Sequence, residues 1–230
     1  MNTLALPQPV SAASVDARAT FIMRTYLHLF GAIFLFAAIE VYLFASGLAE
    51  PIAAAMLSVN WLFVLGGFMI VSWFASRAAM SAETKVAQYG ALGAFVLAQA
   101  LIFVPLLYMA VYYAGPGVLD SAAWVTLIGF GALTGIAFVT RKDFSFLGGL
   151  LRWGFVIALV LIVVGVLFGF HLGTFFSVAM IGLAGGAILY DTSNILHHYP
   201  EEKYVAASLA LFASVALMFW YVLQLFMSRD

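Results

Sequence analysis

The chain has 230 residues, of which 66% are hydrophobic and 8% charged, with a net charge of −1 and no cysteine. A water-facing domain usually carries about 25% charged residues, so lipid must cover much of this surface. The near-neutral balance gives no sign of a nucleic-acid partner, and the lack of cysteine excludes disulfides, thiolate metal sites and a cysteine nucleophile.

Residues 1–20 are polar and contain Pro7 and Pro9. They lack the basic start, apolar core and small-residue cleavage site of a removed signal, and read as a flexible cytoplasmic tail. Residues 21–230 read as a seven-helix transmembrane domain, an all-α integral membrane fold. Its apolar segments are about 21–45, 52–76, 86–113, 120–140, 146–170, 172–193 and 204–227. The runs are continuous rather than alternating, which excludes a β-barrel, and about 20 residues at 1.5 Å each cross the hydrocarbon. The fifth and sixth segments are joined by the turn Phe170 to Gly173, where glycine permits a tight reversal. Pro105 interrupts the third segment six residues after Gln99, a place for a kink.

Basic residues set the orientation. With the N-terminus cytoplasmic, Arg18, Arg24, Arg77, Lys85, Arg141, Lys142, Arg152 and Lys203 fall at the inner face, and of the nine only Arg229 falls outside. This sorting is the positive-inside pattern, and seven spans then place the C-terminus in the periplasm. Glu50 and Asp120 occupy the outer loops. Glycines four apart (131 and 135, 165 and 169, 182 and 186) mark faces for close helix packing or a homodimer.

Ionisable residues inside spans are costly and are candidate functional residues. Asp191 is the foremost, 19 residues after Leu172 and about 28 Å along the helix. Asp191, Asn194 and Ile195 share a face by spacing, and Arg77, Arg141 or Arg152 lie at a matching level to offset the carboxylate. The two roles weighed for Asp191 are a proton- or ion-sensitive latch and a solvated anchor. Glu40, near the outer edge of the first span, is expected to reach outer water. His28 is expected to pack and hydrogen-bond within that span. His197, His198, Glu201 and Glu202 form a loop cluster read as solvated rather than as a metal site. Asp143 or Ser145 is positioned to cap the fifth span.

No lysine for a Schiff base lies in the last span, no Gly-x-Ser-Gly occurs, and no second intramembrane aspartate accompanies Asp191. An aspartyl protease site needs two carboxylates. The expectation is a protein that is not an enzyme, with no cofactor and no resident metal.

Three stretches carry a resemblance. They are Thr140-Arg-Lys-Asp-Phe-Ser-Phe-Leu-Gly-Gly149, Gly186-Ala-Ile-Leu-Tyr-Asp-Thr-Ser-Asn-Ile195, and Ser208-Leu-Ala-Leu-Phe-Ala-Ser214 with the terminal Ser228-Arg-Asp230. With Arg24-Thr-Tyr26, they make the chain from about residue 18 similar to the Bax inhibitor-1 family, in its YccA branch. The resemblance implies six helices surrounding a central seventh. It also implies that Asp191 is the family's sixth-span acid. In calcium-leak members that acid shares a proton with an aspartate on the seventh span, and an arginine late in the second span latches the pair. Here Ser214 takes the seventh-span position, Leu217 takes a family asparagine position, and Arg77 lies near the latch position. A lone carboxylate lacks the coupling of two and makes a poor cage for calcium, which takes six to eight oxygens. The YccA branch implies a modulator of the FtsH protease in a bacterial inner membrane, with the N-terminal tail as the engaged segment. The alternative is a pH-sensitive calcium or cation leak gated at Asp191.

Overall fold

The computed structural model describes residues 9–228, all of whose regular structure is helical. Eight α-helices follow one another: α1 (Val15–Ala45), α2 (Ala49–Ser58), α3 (Trp61–Ser81), α4 (Lys85–Tyr113), α5 (Val118–Thr140), α6 (Leu147–Phe168), α7 (Gly173–His197) and α8 (Tyr204–Met227). Seven of them are long and apolar enough to cross a membrane, and α2, with 10 residues, is not.

The second span departs from the sequence reading. The apolar stretch predicted at 52–76 is broken by extended backbone at Val59 and Asn60, and the crossing helix is α3. Asn60 caps α3, its side chain accepting from the Leu62 N–H at 2.9 Å. An Asn just before an apolar run is a start signal, and it outranks continuity of hydropathy. Of the other crossing helices, α1 begins six residues before the stretch read at 21–45 and α7 ends four residues beyond the one read at 172–193, while α4, α5, α6 and α8 differ by at most two residues. The α6–α7 reversal uses Gly169 (φ 72°) and Gly173 (φ 68°), both left-handed.

Residues 1–20, expected as one flexible tail, divide. Residues 1–8 lie outside the described residues, as do Arg229 and Asp230. Beyond them Pro9 bridges to Pro200, the Val10 N–H donates to the Tyr199 carbonyl at 2.9 Å, and Val10 is fully buried. Ser14 then caps α1, which starts at Val15. The N-terminal segment is thereby fastened to the α7–α8 connection.

Helix α8 is the most buried of the spans, followed by α4. It packs against α1, α3, α4, α5 and α7, and α6 joins it at the small cluster of Ala158, Met180 and Tyr221. Aromatic side chains tie α8 to its neighbours. Phe36 meets Phe212 edge-on at 6.2 Å, Phe95 meets Phe212 at 6.0 Å, and Phe103 meets Trp220 at 4.9 Å. Such pairs add about 0.5–1.5 kcal/mol each beyond their burial. Large apolar side chains such as Phe34, Phe63 and Phe175 are exposed around the bundle, where lipid is their solvent.

The α6–α7 contact is a series of side chains set against glycines. Tyr190 fills the space over Gly148, Leu151 that over Gly186, and Leu183 that over Gly154. A Cβ at Gly148 would lie 3.0 Å from the Tyr190 ring, and one at Gly186 would lie 3.2 Å from Leu151. Within the bundle the expected glycine pairs do not act as pairs. A Cβ at Gly131, Gly135, Gly169 or Gly182 would meet nothing within 4 Å, whereas Gly165 and Gly186 have close neighbours. Spacing alone does not say which face a partner occupies.

Gly154→Val is expected to destabilise the bundle by about 1–3 kcal/mol through overpacking against Leu183. Gly182→Ala is expected to be neutral or to stabilise by up to about 1 kcal/mol through helix propensity. Thermal melts of both variants in one detergent check this contrast, and equal losses would refute the packing assignment.

Candidate functional site

Asp191 stands six residues before the end of α7, about 9 Å along the helix. Its Oδ2 accepts a hydrogen bond from the Ser214 hydroxyl of α8 at 2.6 Å. Among the described residues it has no ion-pair partner. The structure thus brings Asp191 and Ser214 together through the burial of α8, which holds Ser214 against α7.

A cavity of about 520 Å³ lies beside this pair, between α3, α4, α6, α7 and α8. Asp191 and Ser214 form part of one wall, and Arg152 of α6 enters at the same end. Ser72 and Ser76 of α3, Gln99 of α4 and the side chains of Tyr190 and Tyr221 contribute further polar groups. A second cavity of about 560 Å³, lined by His171, Ser177 and Gln224, lies toward the opposite face. Both cavities are bounded by Trp61, Ile162, Trp220 and Tyr221. The Trp61 and Trp220 rings stack at 6.1 Å, an aromatic pair that borders both the chamber bearing Asp191 and the one without a carboxylate in its lining.

Two other residues singled out in the sequence stand elsewhere. Arg77 is exposed, with its guanidinium 5.7 Å from the Trp73 ring centroid, and it does not line the cavity. Of the three arginines at the matching level, Arg152 is the one that does. Asn194 contributes its backbone: its carbonyl accepts from the His198 and Tyr199 N–H groups at 2.8 and 3.0 Å, ending α7. Ser72, Ser76, Trp61 and Trp220 were not picked out from sequence. The spacing of Ser72 and Ser76 puts both on one face of α3, a signal that was present.

Glu40 was expected in outer water. It is instead 6% exposed, and neither carboxylate oxygen has a hydrogen-bond partner. Counting residues from the start of the span gives depth but not the direction the side chain faces. Next to Asp191, Thr192 is fully buried, and the Tyr26 hydroxyl of α1 approaches it and Thr134 of α5. None of the three hydroxyls has a hydrogen-bond partner of ordinary geometry. His28 Nδ1 donates to the Arg24 carbonyl at 2.6 Å, and its ring stacks on Tyr89.

The connection between α5 and α6 is pinned below this site. Arg141 ends α5 in the left-handed region (φ 51°), which turns the chain toward α7. Asp143 then accepts from the Ser145 N–H at 2.9 Å and from the Ser193 hydroxyl at 3.3 Å, and it pairs with His198 at 2.9 Å. The Phe144 N–H donates to the Ser193 oxygen at 2.8 Å. Asp143 therefore makes a turn ahead of α6 and joins it to α7, rather than capping the helix at its first residue. His198, still exposed, is its partner. Among the described residues no three His, Asp or Glu side chains converge as metal ligands do.

The model of the family described as "Inhibitor of apoptosis-promoting Bax1" matches residues 18–230. The chain is 37% identical over 123 residues to the "Modulator of FtsH protease YccA" of Escherichia coli K12, covering 51% of this chain and 55% of that one. It is 35% identical over 121 residues to the "Bax inhibitor 1" of Schizosaccharomyces pombe, covering 50% and 44%. It is 30% identical over 177 residues to the "Bax inhibitor 1" of Oryza sativa, covering 75% and 70%. The chain spans about half the length of the bacterial and yeast relatives it matches.

Asp143 gives a prediction with a definite sign. The backbone N–H of Ser145 foremost, with the Ser145 and His198 side chains, holds its carboxyl down at about 2. A depressed carboxyl contributes stability at all pH above its ordinary value of about 4 and loses it as pH falls through the folded value. Amide exchange at Phe144 and Ser145, corrected for intrinsic rate, should be constant above pH of about 5 and rise on acidification toward about 2. Asp143→Ala should show the raised rate at every pH. Unchanged protection in that variant would show that the loop is held by other contacts.

Proposed function

This chain belongs to the Bax inhibitor-1 family, and we propose that it is a multi-pass protein of a bacterial inner membrane that modulates membrane-protein quality control through the FtsH protease. The observation that carries this reading over an ion leak is the partner of Asp191, a hydroxyl at 2.6 Å rather than a second acid. Two adjacent carboxylates titrate as a coupled pair with a strongly displaced step. One carboxylate bonded to a serine has no such coupling. It also offers calcium far fewer than the six to eight oxygens that ion takes. The description of the Escherichia coli relative as a modulator of FtsH supports the choice of partner.

In this reading the basic face is cytoplasmic by the positive-inside pattern, which puts the N-terminus in the cytoplasm and the C-terminus in the periplasm. Residues 1–8 are the segment offered to the protease. Val10 and the Pro9–Pro200 bridge fasten the chain immediately after it. The interlocked α6–α7 pair and the buried α8 then oppose extraction. A protease that pulls on this end competes against the whole bundle and is occupied rather than fed.

A second reading, a pH-sensitive cation leak, is favoured by one feature. The chamber holding Asp191 and the opposite chamber share the residues of the Trp61–Trp220 pair. In that reading the Trp61 and Trp220 rings would be the gate between the two chambers. Asp191 would be the ion or proton sensor in that case, with Ser214 its hydroxyl partner; Arg77 and Asn194 stand apart from the chamber.

Two experiments separate the readings. Deleting residues 2–8 should abolish modulation of FtsH-dependent degradation while leaving melting temperature and any ion flux unchanged; failure of the full chain to co-purify with FtsH in mild detergent would count against the first reading. In proteoliposomes, wild type should pass no cation at any pH or calcium level. A flux that rises with pH change in wild type and loses that dependence in Asp191→Asn would reverse the ranking.

A further inference from the structure

A groove of about 260 Å³ runs between α1 and α4, away from the Asp191 cavities. Leu27, Leu35, Leu92 and Val96 line it, and Gly31 and Gly93 form its floor. At its end toward the basic face it is lined by His28 and Tyr89, whose rings stack at 5.4 Å. The Tyr89 hydroxyl meets that of Tyr204 at 2.9 Å. The Tyr204 ring in turn carries two cations: Lys85 Nζ at 4.3 Å and the Arg24 guanidinium at 5.6 Å from its centroid.

Three features of this groove point to a ligand. The first is charge. Arg24 and Lys85 stand one helical turn before the lining residues His28 and Tyr89, without an ion pair to any described carboxylate, and Lys85 is held in place by the Glu202 carbonyl and the Gln88 side chain. No Asp or Glu lines the groove. The second is shape. A Cβ at Gly31 or Gly93 would meet nothing within 4 Å. Between α6 and α7, by contrast, glycines make room for named side chains of the neighbouring helix. The room at Gly31 and Gly93 is filled by no protein atom. The third is depth. Lys85 is the first residue of α4, so the cations lie at the level where a span meets the headgroups while the trough runs into the hydrocarbon.

We propose that this groove binds an anionic phospholipid of the leaflet at the basic face, its phosphate between Arg24 and Lys85 and one acyl chain in the Gly31–Gly93 trough. Basic pockets between spans on the cytoplasmic side recognise such headgroups by charge, and the two phenols supply hydroxyls beside the phosphate. Two cations with no lining carboxylate select an anionic headgroup over a zwitterionic one, whose ammonium would find no acceptor charge. Because Tyr204 opens α8 and His28 and Tyr89 belong to α1 and α4, the lipid would bridge three helices at the face where the N-terminal segment is fastened.

Native mass spectrometry of the full chain in detergent tests this, with added dioleoyl-phosphatidylglycerol, dioleoyl-phosphatidylcholine or inorganic phosphate. Wild type should retain the phosphatidylglycerol several-fold better than the phosphatidylcholine, and inorganic phosphate in excess should not displace it. The double variant Arg24→Gln with Lys85→Gln should lower retention of the anionic lipid to that of the zwitterionic one. Gly31→Leu and Gly93→Leu place a side chain in the trough from positions where a Cβ meets no protein atom within 4 Å, so they should keep the wild-type melting temperature without added lipid and lose the anionic lipid. Arg141→Gln, outside the groove, should bind as wild type does. Equal retention of the two lipids by wild type, displacement by inorganic phosphate alone, or undiminished phosphatidylglycerol binding in a folded Gly93→Leu protein would each overturn the proposal. Should the double charge variant fail to fold, the two glycine variants decide.

Discussion

The fold rests on its most buried span. Helix α8 packs against five other helices and leaves Gln224 exposed near its end. In lipid, burial of apolar surface between helices brings little solvent-driven gain, since hydrocarbon is as apolar as leucine. Close packing has to supply the attraction. The aromatic contacts of Phe36, Phe95, Phe103, Phe212 and Trp220 and the glycine-seated contacts of α6 on α7 are where that packing is densest. Every buried polar residue on α8 must then find its partner inside the bundle. Ser208 bonds to the Val205 carbonyl of its own helix, and Ser214 reaches Asp191.

That constraint explains the character of the Asp191 chamber. A single carboxylate survives at this depth because a buried hydroxyl donates to it and a cavity with an arginine in its wall adjoins it. Isolated charge inside a membrane is costly unless a partner or a water-filled space is at hand. The same reasoning marks Glu40 and the hydroxyls of Tyr26, Thr134 and Thr192 as places where the bundle holds unpaired polar groups. In native proteins such groups are few and usually meet a ligand or a functional requirement.

The basic face is built differently, from loops that bind one another. The N-terminal segment bonds to the α7–α8 connection, Lys203 donates to the Ala82 carbonyl at 2.9 Å, Gln88 donates to the same carbonyl, and Asp143 joins the α5–α6 connection to α7. Four connections thus lock one end of the bundle. The FtsH reading and the lipid groove both draw on this end: one treats it as the hold against which a protease pulls, the other as a surface set in the headgroups.

Much was legible in the amino-acid order because hydropathy and charge act residue by residue. Seven apolar lengths, the sorting of Arg and Lys to one face, the double-glycine reversal at 169–173 and the singular position of Asp191 need no partner to be read. The opposition of Ser214 to Asp191 was legible only through family resemblance. What the tertiary structure decided are properties of pairs. Which arginine enters the chamber, that Glu40 faces inward, that Gly154 and Gly186 rather than Gly131 and Gly182 receive a neighbouring side chain, and that residues 9–20 are fastened beneath the bundle all depend on helix rotation. A span's rotation about its axis is set by the helices it touches. In a chain that is apolar on all faces, no moment in the sequence records it.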